Sequence, residues 1–187
     1  MNRVNAATIT RARRGIVAAL LMSSAAIAAC ATGIGGETTV ALRPAQIVAE
    51  PELLEGARFI STGQPDRNVL QAARDAGVVA VIDLRGVDED RGIDERDVAE
   101  SLGLAYHALP VAGPDDVTYE NAAVLDELLA TIDGPVLLHC ISGNRVGALF
   151  ALRAREKGAS PESALAIGRD AGLTRYESLV RERLQDR

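Results

Sequence analysis

The sequence predicts an α/β fold built on a mainly parallel sheet, and three observations lead to that class. Short strand-like runs alternate along the chain with amphipathic, helix-like stretches. Residues 78–84 form a continuous apolar run, which is typical of a strand buried on both faces of a parallel sheet. Glycine or proline separates most of these elements. Strands that alternate with helices build a sandwich in which helices cover both faces of the sheet.

The first predicted elements of the domain lie before residue 85. Residues 59–61 are a strand candidate that leads into a turn at 62–65. Asp66 is placed to cap a helix through Ala76, because apolar residues recur at helical spacing after it and Gly77 follows as a stop. The apolar run at 78–84 is the next strand.

The middle of the chain repeats this alternation. The charge-rich run 88–97 is expected to be an exposed helix entry, and the helix itself is predicted over 94–102. Residues 105–111 form the third predicted strand, followed by a loop at 112–116. Thr118 can cap a helix that runs to about residue 132.

The last elements surround a cysteine. The predicted strand 136–139 ends at Cys140, and a helix follows over 146–157. Ser160 before a proline is a favourable start for another helix. The stretch from Thr174 to Glu177 has the pattern of a capping box and is expected to open the final helix.

The first 45 residues have a different character. Four arginines precede an apolar stretch at 16–29, and no acidic residue occurs before Glu37. The apolar stretch is too short to span a bilayer and ends at Cys30 in a pattern that resembles the bacterial lipobox. That resemblance implies a signal peptide over 1–30, lipidation of Cys30, a flexible tether over 31–45 and a domain over 46–187. The protein is then an exported, periplasmic lipoprotein, and an ordinary cleaved signal is the alternative.

The charge balance narrows the range of partners. The chain of 187 residues has a formal net charge of −6, and without the leader 16 basic residues face 26 acidic ones. Such a surface repels nucleic acid and anionic lipid. We therefore expect no nucleic-acid partner and membrane contact only through the lipid anchor. The sequence identifies no protein partner.

The segment from His139 to Arg145 carries the chemistry. A strand, a small polar turn and a helix place backbone N–H groups at the positive end of a helix dipole. Cys140 at that position favours the thiolate, and the guanidinium of Arg145 can grip two oxygens of a tetrahedral anion. If Cys30 carries lipid, Cys140 is the one remaining thiol. The pattern predicts a cysteine-nucleophile enzyme that acts on a small anionic, phosphate-like or sulfur-containing group.

Four motifs occur in the order seen in one bacterial family. They are the segments 60–65, 81–85, 106–111 and 139–145, within the region 45–155. In this order they resemble the phosphatase-like domain that is often attached to β-lactamase-like hydrolase domains and is related to dual-specificity phosphatases. The resemblance implies a protein-tyrosine-phosphatase-like three-layer sandwich with four to five strands and no cofactor.

The resemblance also assigns roles. Cys140 is the nucleophile, Arg145 is the oxyanion clamp, and His139 supports the loop. Asp115 or Asp116 is the general acid. The anion-binding loop comprises Ile141, Ser142, Gly143 and Asn144. Separately, Asp83 and Arg85 lie at the carboxyl end of a predicted strand, where α/β folds place ligands; they are expected to bind a ligand or to brace the loop.

Two departures from the phosphatase pattern keep other functions open. Four residues separate Cys140 from Arg145, where protein tyrosine phosphatases have five, and Val146 replaces the usual hydroxyl residue. The short loop also looks like that of single-domain rhodaneses. The alternatives are therefore a sulfurtransferase that works through a Cys140 persulfide and an anion-binding module without turnover.

Overall fold

The computed structural model describes residues 37–186, which form five parallel strands and seven α-helices. The predicted α/β sandwich with four to five strands is confirmed. The strands are β1 (Thr39–Ala41), β2 (Phe59–Thr62), β3 (Ala80–Asp83), β4 (Ala105–Ala108) and β5 (Val136–His139). The helices are α1 (Pro44–Ala49), α2 (Arg67–Asp75), α3 (Glu95–Ser101), α4 (Tyr119–Thr131), α5 (Asn144–Glu156), α6 (Pro161–Asp170) and α7 (Glu177–Gln185).

The strand order β1-β2-β5-β3-β4 places β5 at the centre of the sheet. Strands β2, β3 and β5 are buried along their whole length, as the apolar runs predicted. Alternate side chains pack into two hydrophobic clusters, one on each face. Phe59 and Leu138 belong to the larger cluster with α4–α7, and Ile60 and Leu137 belong to the smaller cluster with α1–α3.

The helix starts follow from local capping. The side chains of Asp66, Asp94, Thr118 and Ser160 each accept a hydrogen bond from a backbone N–H in the first turn of the following helix. Such a bond satisfies one of the amides that a helix leaves unpaired at its start. These four predicted starts are confirmed.

The domain begins earlier than residue 46. Strand β1 and the start of α1 lie within the stretch 31–45 that was expected to be a tether. Thr39–Ala41 pair with Phe59–Ser61, and Glu37 forms an ion pair of 2.8 Å with Arg153. A short β-branched run can add an edge strand to an apolar sheet, which the polar composition of the preceding residues obscured. Cys30, the leader and residues 31–36 lie outside the described residues.

Three other boundaries differ from the prediction. Strand β4 ends at Ala108 rather than at residue 111, because Leu109 and Val111 donate to the adjacent carbonyls of Asp83 and Leu84, and the parallel register is lost there. Helix α5 begins at Asn144, directly behind the turn at Gly143. Thr174 does not cap the last helix, because its hydroxyl and its N–H both bond to Asn144 instead.

Helix α5 is the central helix of the domain. Every residue from 144 to 154 is buried. Gly147 permits its close packing, because a Cβ there would lie 2.1 Å from the backbone nitrogen of Leu173. Gly168 of α6 is also tightly packed, since a Cβ there would lie 2.8 Å from the backbone oxygen of Gly147. Within residues 37–186, no helix combines the length and the apolar character needed to cross a bilayer.

Candidate active site

The parallel sheet brings the predicted site residues to one edge. Because all five strands run in the same direction, the residues that follow them meet at their carboxyl ends. Cys140 follows the central strand, Gly63 follows β2, and Arg85 follows β3. The loop after β4 leads to Asp115 and Asp116 at the same edge.

The cysteine loop has the predicted strand–turn–helix geometry. The Cys140 side chain is buried, and Gly143 adopts a φ of 79°, which lets the chain turn sharply into α5. The neighbouring turn supports the loop, because Gln64 N–H donates to the carbonyl of Ile141 over 3.2 Å and Gly63 forms a bridge with Ser142. Two of the motifs recognised in the sequence are therefore in contact.

Arg145 lies between Glu89 and Cys140. Its Nη1 and Nη2 donate to the two oxygens of Glu89 over 2.5 and 2.8 Å, and Nη1 also donates to the carbonyl of Val111 over 2.7 Å. The hydrogen bond with Glu89 raises the pKa of Arg145; burial opposes the rise, and the negative charge of Cys140 adds to it. In turn, the hydrogen bond from Arg145 lowers the pKa of Glu89 against the effect of burial. Arg145 is thus a charged group buried beside the sulfur.

The prediction that the run 88–97 is an exposed helix entry is wrong for Glu89 and Glu95. The run was expected to be an exposed helix entry, yet Glu95 is buried and Glu89 is half-buried against Arg145. Glu89 lies 6 positions after the end of β3, and Glu95 lies 10 positions after Arg85. Charge density alone did not distinguish these two carboxylates from their solvated neighbours. The available signal was the need of Arg85 and Arg145 for buried partners.

A polar cluster lies behind the loop, and all of its members are buried except the half-buried Tyr106. Arg85 binds Asp83 through Nε and Nη2 over 2.9 and 2.8 Å, and Nη2 also contacts Glu95. His139 Nε2 lies 2.6 Å from a carboxylate oxygen of Glu95. The hydroxyl of Tyr106 donates to Asp83 over 2.8 Å. His139 immediately precedes Cys140, so this cluster holds the base of the loop in place.

Contacts within the cluster shift the pKa values of its members. Burial opposes ionisation of Asp83, but the hydrogen bonds from Arg85 and the nearby His139 outweigh it and lower the pKa of Asp83 to about 2. Burial and the bond to Asp83 raise the pKa of Tyr106 to about 12. Ligand atoms of Asp83, Glu95 and His139 lie within 4.8 Å of one another. The guanidinium of Arg85, however, already bonds to both carboxylates, so these residues brace the loop rather than offer a free ligand set.

The two candidate acids differ in their surroundings. Asp116 accepts a hydrogen bond of 2.8 Å from the N–H of Ala112, which ties its carboxylate to its own loop. Asp115 is exposed on the same short 3-10 turn, Pro114–Asp116. This turn follows Val111, whose carbonyl accepts from Arg145. The general-acid role of either residue stays a prediction.

The side chains of the loop differ in their exposure to solvent. Ile141 and Ser142 are exposed at the edge of the sheet. Asn144 is buried, and its Oδ1 accepts from the N–H groups of Thr174 and Tyr176 over 2.8 and 3.2 Å. The Asn144 side chain therefore anchors the loop to the segment before α7, and only its backbone remains available to an anion.

Together, the fold and the loop define a cysteine-phosphatase-like α/β domain. The curated proteins to which the chain is similar are named β-lactamase hydrolase-like proteins. The chain is 34% identical over 99 residues to a β-lactamase hydrolase-like protein of Xylella fastidiosa (strain Temecula1 / ATCC 700964) and 28% identical to one of Agrobacterium fabrum (strain C58 / ATCC 33970). Each match covers 51% of this chain but only 23% of the relative, so the chain spans less than a quarter of their length. No protein-family model matches the chain.

Solved structures show the same fold. A candidate phosphatase from Neisseria meningitidis Z2491 superposes with a TM-score of 0.60 at 22% identity, covering 69% of this chain and 92% of that one. A DUF442 candidate phosphatase from Shewanella putrefaciens CN-32 gives 0.50 at 18% identity, with coverages of 72% and 96%. Tk-PTP in its active form gives 0.50 at 23%, with coverages of 70% and 93%. The protein-tyrosine-phosphatase-like fold and the resemblance noted in the sequence are confirmed.

Proposed function

We propose that the protein is a Cys140-dependent phosphatase that hydrolyses small phosphate monoesters. The observation that carries this proposal is the position of Arg145, whose buried guanidinium is held by Glu89 beside the cysteine at the start of α5. A thiolate, a guanidinium and a ring of backbone amides are complementary to a phosphoryl group with negative charge on three oxygens.

The proposed reaction has two steps. The Cys140 thiolate attacks phosphorus, an S–P bond forms and the P–O bond to the leaving group breaks. Arg145 and the loop amides stabilise the phosphoryl oxygens, and Asp115 gives its proton to the leaving oxygen. Water then hydrolyses the phosphocysteine, releasing inorganic phosphate and the free thiolate. We assign the acid to Asp115 because the carboxylate of Asp116 is bonded to Ala112.

The test is turnover of an aryl phosphate between about pH 5 and 7, the range in which a cysteine thiolate and a protonated acid can coexist. We expect turnover that vanadate inhibits and that Cys140→Ser abolishes. Cys30→Ser makes the same chemical change outside the domain and should leave turnover intact. Absence of turnover in the unmodified protein would refute the proposal.

A sulfurtransferase is the second candidate, supported by the short loop and by Val146. This buried side chain stands where a hydroxyl would assist departure of the thiolate, so hydrolysis of the intermediate has less support. In this reaction Cys140 takes a sulfane sulfur from thiosulfate, releasing sulfite, and passes it from the persulfide to a thiol. Thiosulfate should then add about 32 Da, one sulfur atom, at Cys140. Hydrolysis of the aryl phosphate without this adduct rules out the sulfurtransferase. If neither hydrolysis nor the adduct is detected, the result supports an anion-binding module.

We also propose that the protein is exported and anchored through lipid on Cys30. The basic, apolar and lipobox-like order of residues 1–30 supports this proposal. Labelling of growing cells with palmitate, compared between the natural chain and Cys30→Ala, is the test. Equal labelling of both chains contradicts the anchor.

A further inference from the structure

A groove beside the cysteine loop has no role in the reaction described so far. It has a volume of about 380 Å³ and lies between the segment after β1, the turn after β2 and the loop itself. Arg43, Gln64, Ile141, Ser142 and Thr174 line it. Ile141 and Ser142 belong to the loop that carries the proposed nucleophile, so the groove borders that loop, although Cys140 and Arg145 themselves do not line it.

At the carboxyl ends of the strands, the loops on the β4 side and the groove on the β1 side differ strongly in charge. The loops after β3 and β4 carry six acidic residues, against two arginines, Arg85 and Arg91; the acidic residues are Asp88, Glu89, Asp90, Asp94, Asp115 and Asp116. The described residues that line the groove include no acid and one cation, Arg43. An anionic substrate body is therefore repelled from the β4 side and attracted towards the β1 side.

Arg43 is held in a position to bind an anion. Its Nε donates to the Oε1 of Gln46 over 3.1 Å, and its backbone N–H donates to the same oxygen over 3.1 Å. The bond from Nε restrains the arm of the side chain, while the Nη groups at its exposed end make no hydrogen bond or ion pair within residues 37–186. A guanidinium offered in this way matches the two oxygens of a carboxylate.

We propose that the groove receives the leaving group of the substrate and that Arg43 selects leaving groups that carry a second anion, such as a carboxylate. This inference rests on the proposed phosphatase activity and adds a substrate class to it. When the S–P bond forms and the P–O bond breaks, the leaving oxygen takes the proton of Asp115 and the product departs as an alcohol with its own anion on Arg43. Arg43 is then a residue that determines specificity.

The test compares phenyl phosphate with 4-carboxyphenyl phosphate as substrates of the full chain. The ratio of their kcat/KM values is measured for the natural protein, for Arg43→Ala and for the control Arg67→Ala. Arg67 is exposed on α2 and does not line the groove, so its replacement makes the same change in net charge. Intrinsic differences between the two esters cancel when the ratio is compared between variants.

We expect Arg43→Ala to lower the ratio about three- to fivefold by slowing only the carboxylated ester, as fits one exposed ion pair. The ratio of Arg67→Ala should equal that of the natural protein. Equal ratios in all three proteins overturn the inference and leave the phosphatase proposal standing. If neither ester is hydrolysed, the phosphatase proposal fails. Calorimetric affinities for the same two compounds then test whether Arg43 binds the second anion. A selective loss of affinity for the carboxylated compound in Arg43→Ala then supports it, and unchanged affinities overturn it.

Discussion

Replacement of Glu89 by glutamine tests the central contact of the candidate site. The substitution keeps the shape of the side chain but removes its charge, and an amide offers one acceptor oxygen where the carboxylate offered two. Arg145 would keep its bond to Val111 and lose one of its two bonds to residue 89. We therefore expect the guanidinium to lose its fixed orientation beside Cys140.

The structure sets the size of the effect. Hydrogen bonds that involve a charged group contribute about 1.5–3 kcal/mol each. The Arg145 side chain is only 9% exposed, but that of Glu89 is 26% exposed, so water compensates part of the loss. We expect the free energy of unfolding to fall by about 1–2 kcal/mol. If Arg145 is the clamp, kcat/KM for an aryl phosphate should fall tenfold or more, which corresponds to at least about 1.4 kcal/mol in the transition state.

Urea unfolding and steady-state kinetics measure the two effects, with Asp88→Asn as the matched control. Asp88 is exposed in the same loop, so its replacement makes the same change in charge without touching Arg145. The direction of the kinetic effect separates two explanations. Removal of a nearby carboxylate alone would favour the thiolate and raise activity, whereas loss of positioning lowers it. The positioning role is refuted if Glu89→Gln is as stable and as active as Asp88→Asn.

Three further predictions concern the support of the loop. Folding lowers the pKa of Asp83 from 3.8 to about 2, so its ionisation stabilises the folded state by about 2 kcal/mol. This stabilisation is complete above about pH 4 and is lost as the pH drops through 2. Urea unfolding at a series of pH values should show the loss, and a free energy of unfolding that does not change with pH contradicts it. Gly147→Ala should destabilise the domain by about 3 kcal/mol or more, since its Cβ overlaps backbone. Gly113→Ala, where a Cβ meets nothing within 4 Å, should change the melting temperature little, and equal shifts for the two variants would contradict the close packing. Asn144→Ala should cost about 1–3 kcal/mol, because the donors of Thr174 lose their acceptor; an unchanged urea midpoint would show that this anchor contributes nothing.

The sequence was sufficient to predict most of the fold, since the signals involved are local. A capping aspartate such as Asp66 acts within one helical turn, and the apolar run that became β3 records its burial on both faces. The errors occurred where long-range contacts decide. Strand β1 exists because Thr39–Ala41 can pair with β2, and no feature of those three residues alone distinguishes them from a linker.

The site was predictable to the extent that one contiguous segment carries it. Cys140 and Arg145 fall on one strand–turn–helix unit, so their proximity follows from spacing alone. Glu89 lies 56 positions from Arg145, and Glu95 reaches His139 from another helix. Such partners depend on the order of strands in the sheet, with β3 beside β5. The local sequence pattern does not predict that order. The role of Asn144 was missed for the same reason.

The C-terminal segment belongs to the candidate site even though the motif resemblance ends near residue 155. Gly172 and Gly143 both lie against the hydroxyl of Ser61, where a Cβ on either glycine would be 3.4 Å from that oxygen. Asn144 bonds to Thr174, and Gly147 packs against the backbone of Leu173. The connection between α6 and α7 therefore braces the first turn of α5 from behind, over the residues that immediately follow Cys140. A loop of four residues has little freedom of its own, so the orientation of its amides depends on this brace as much as on the sheet beneath it.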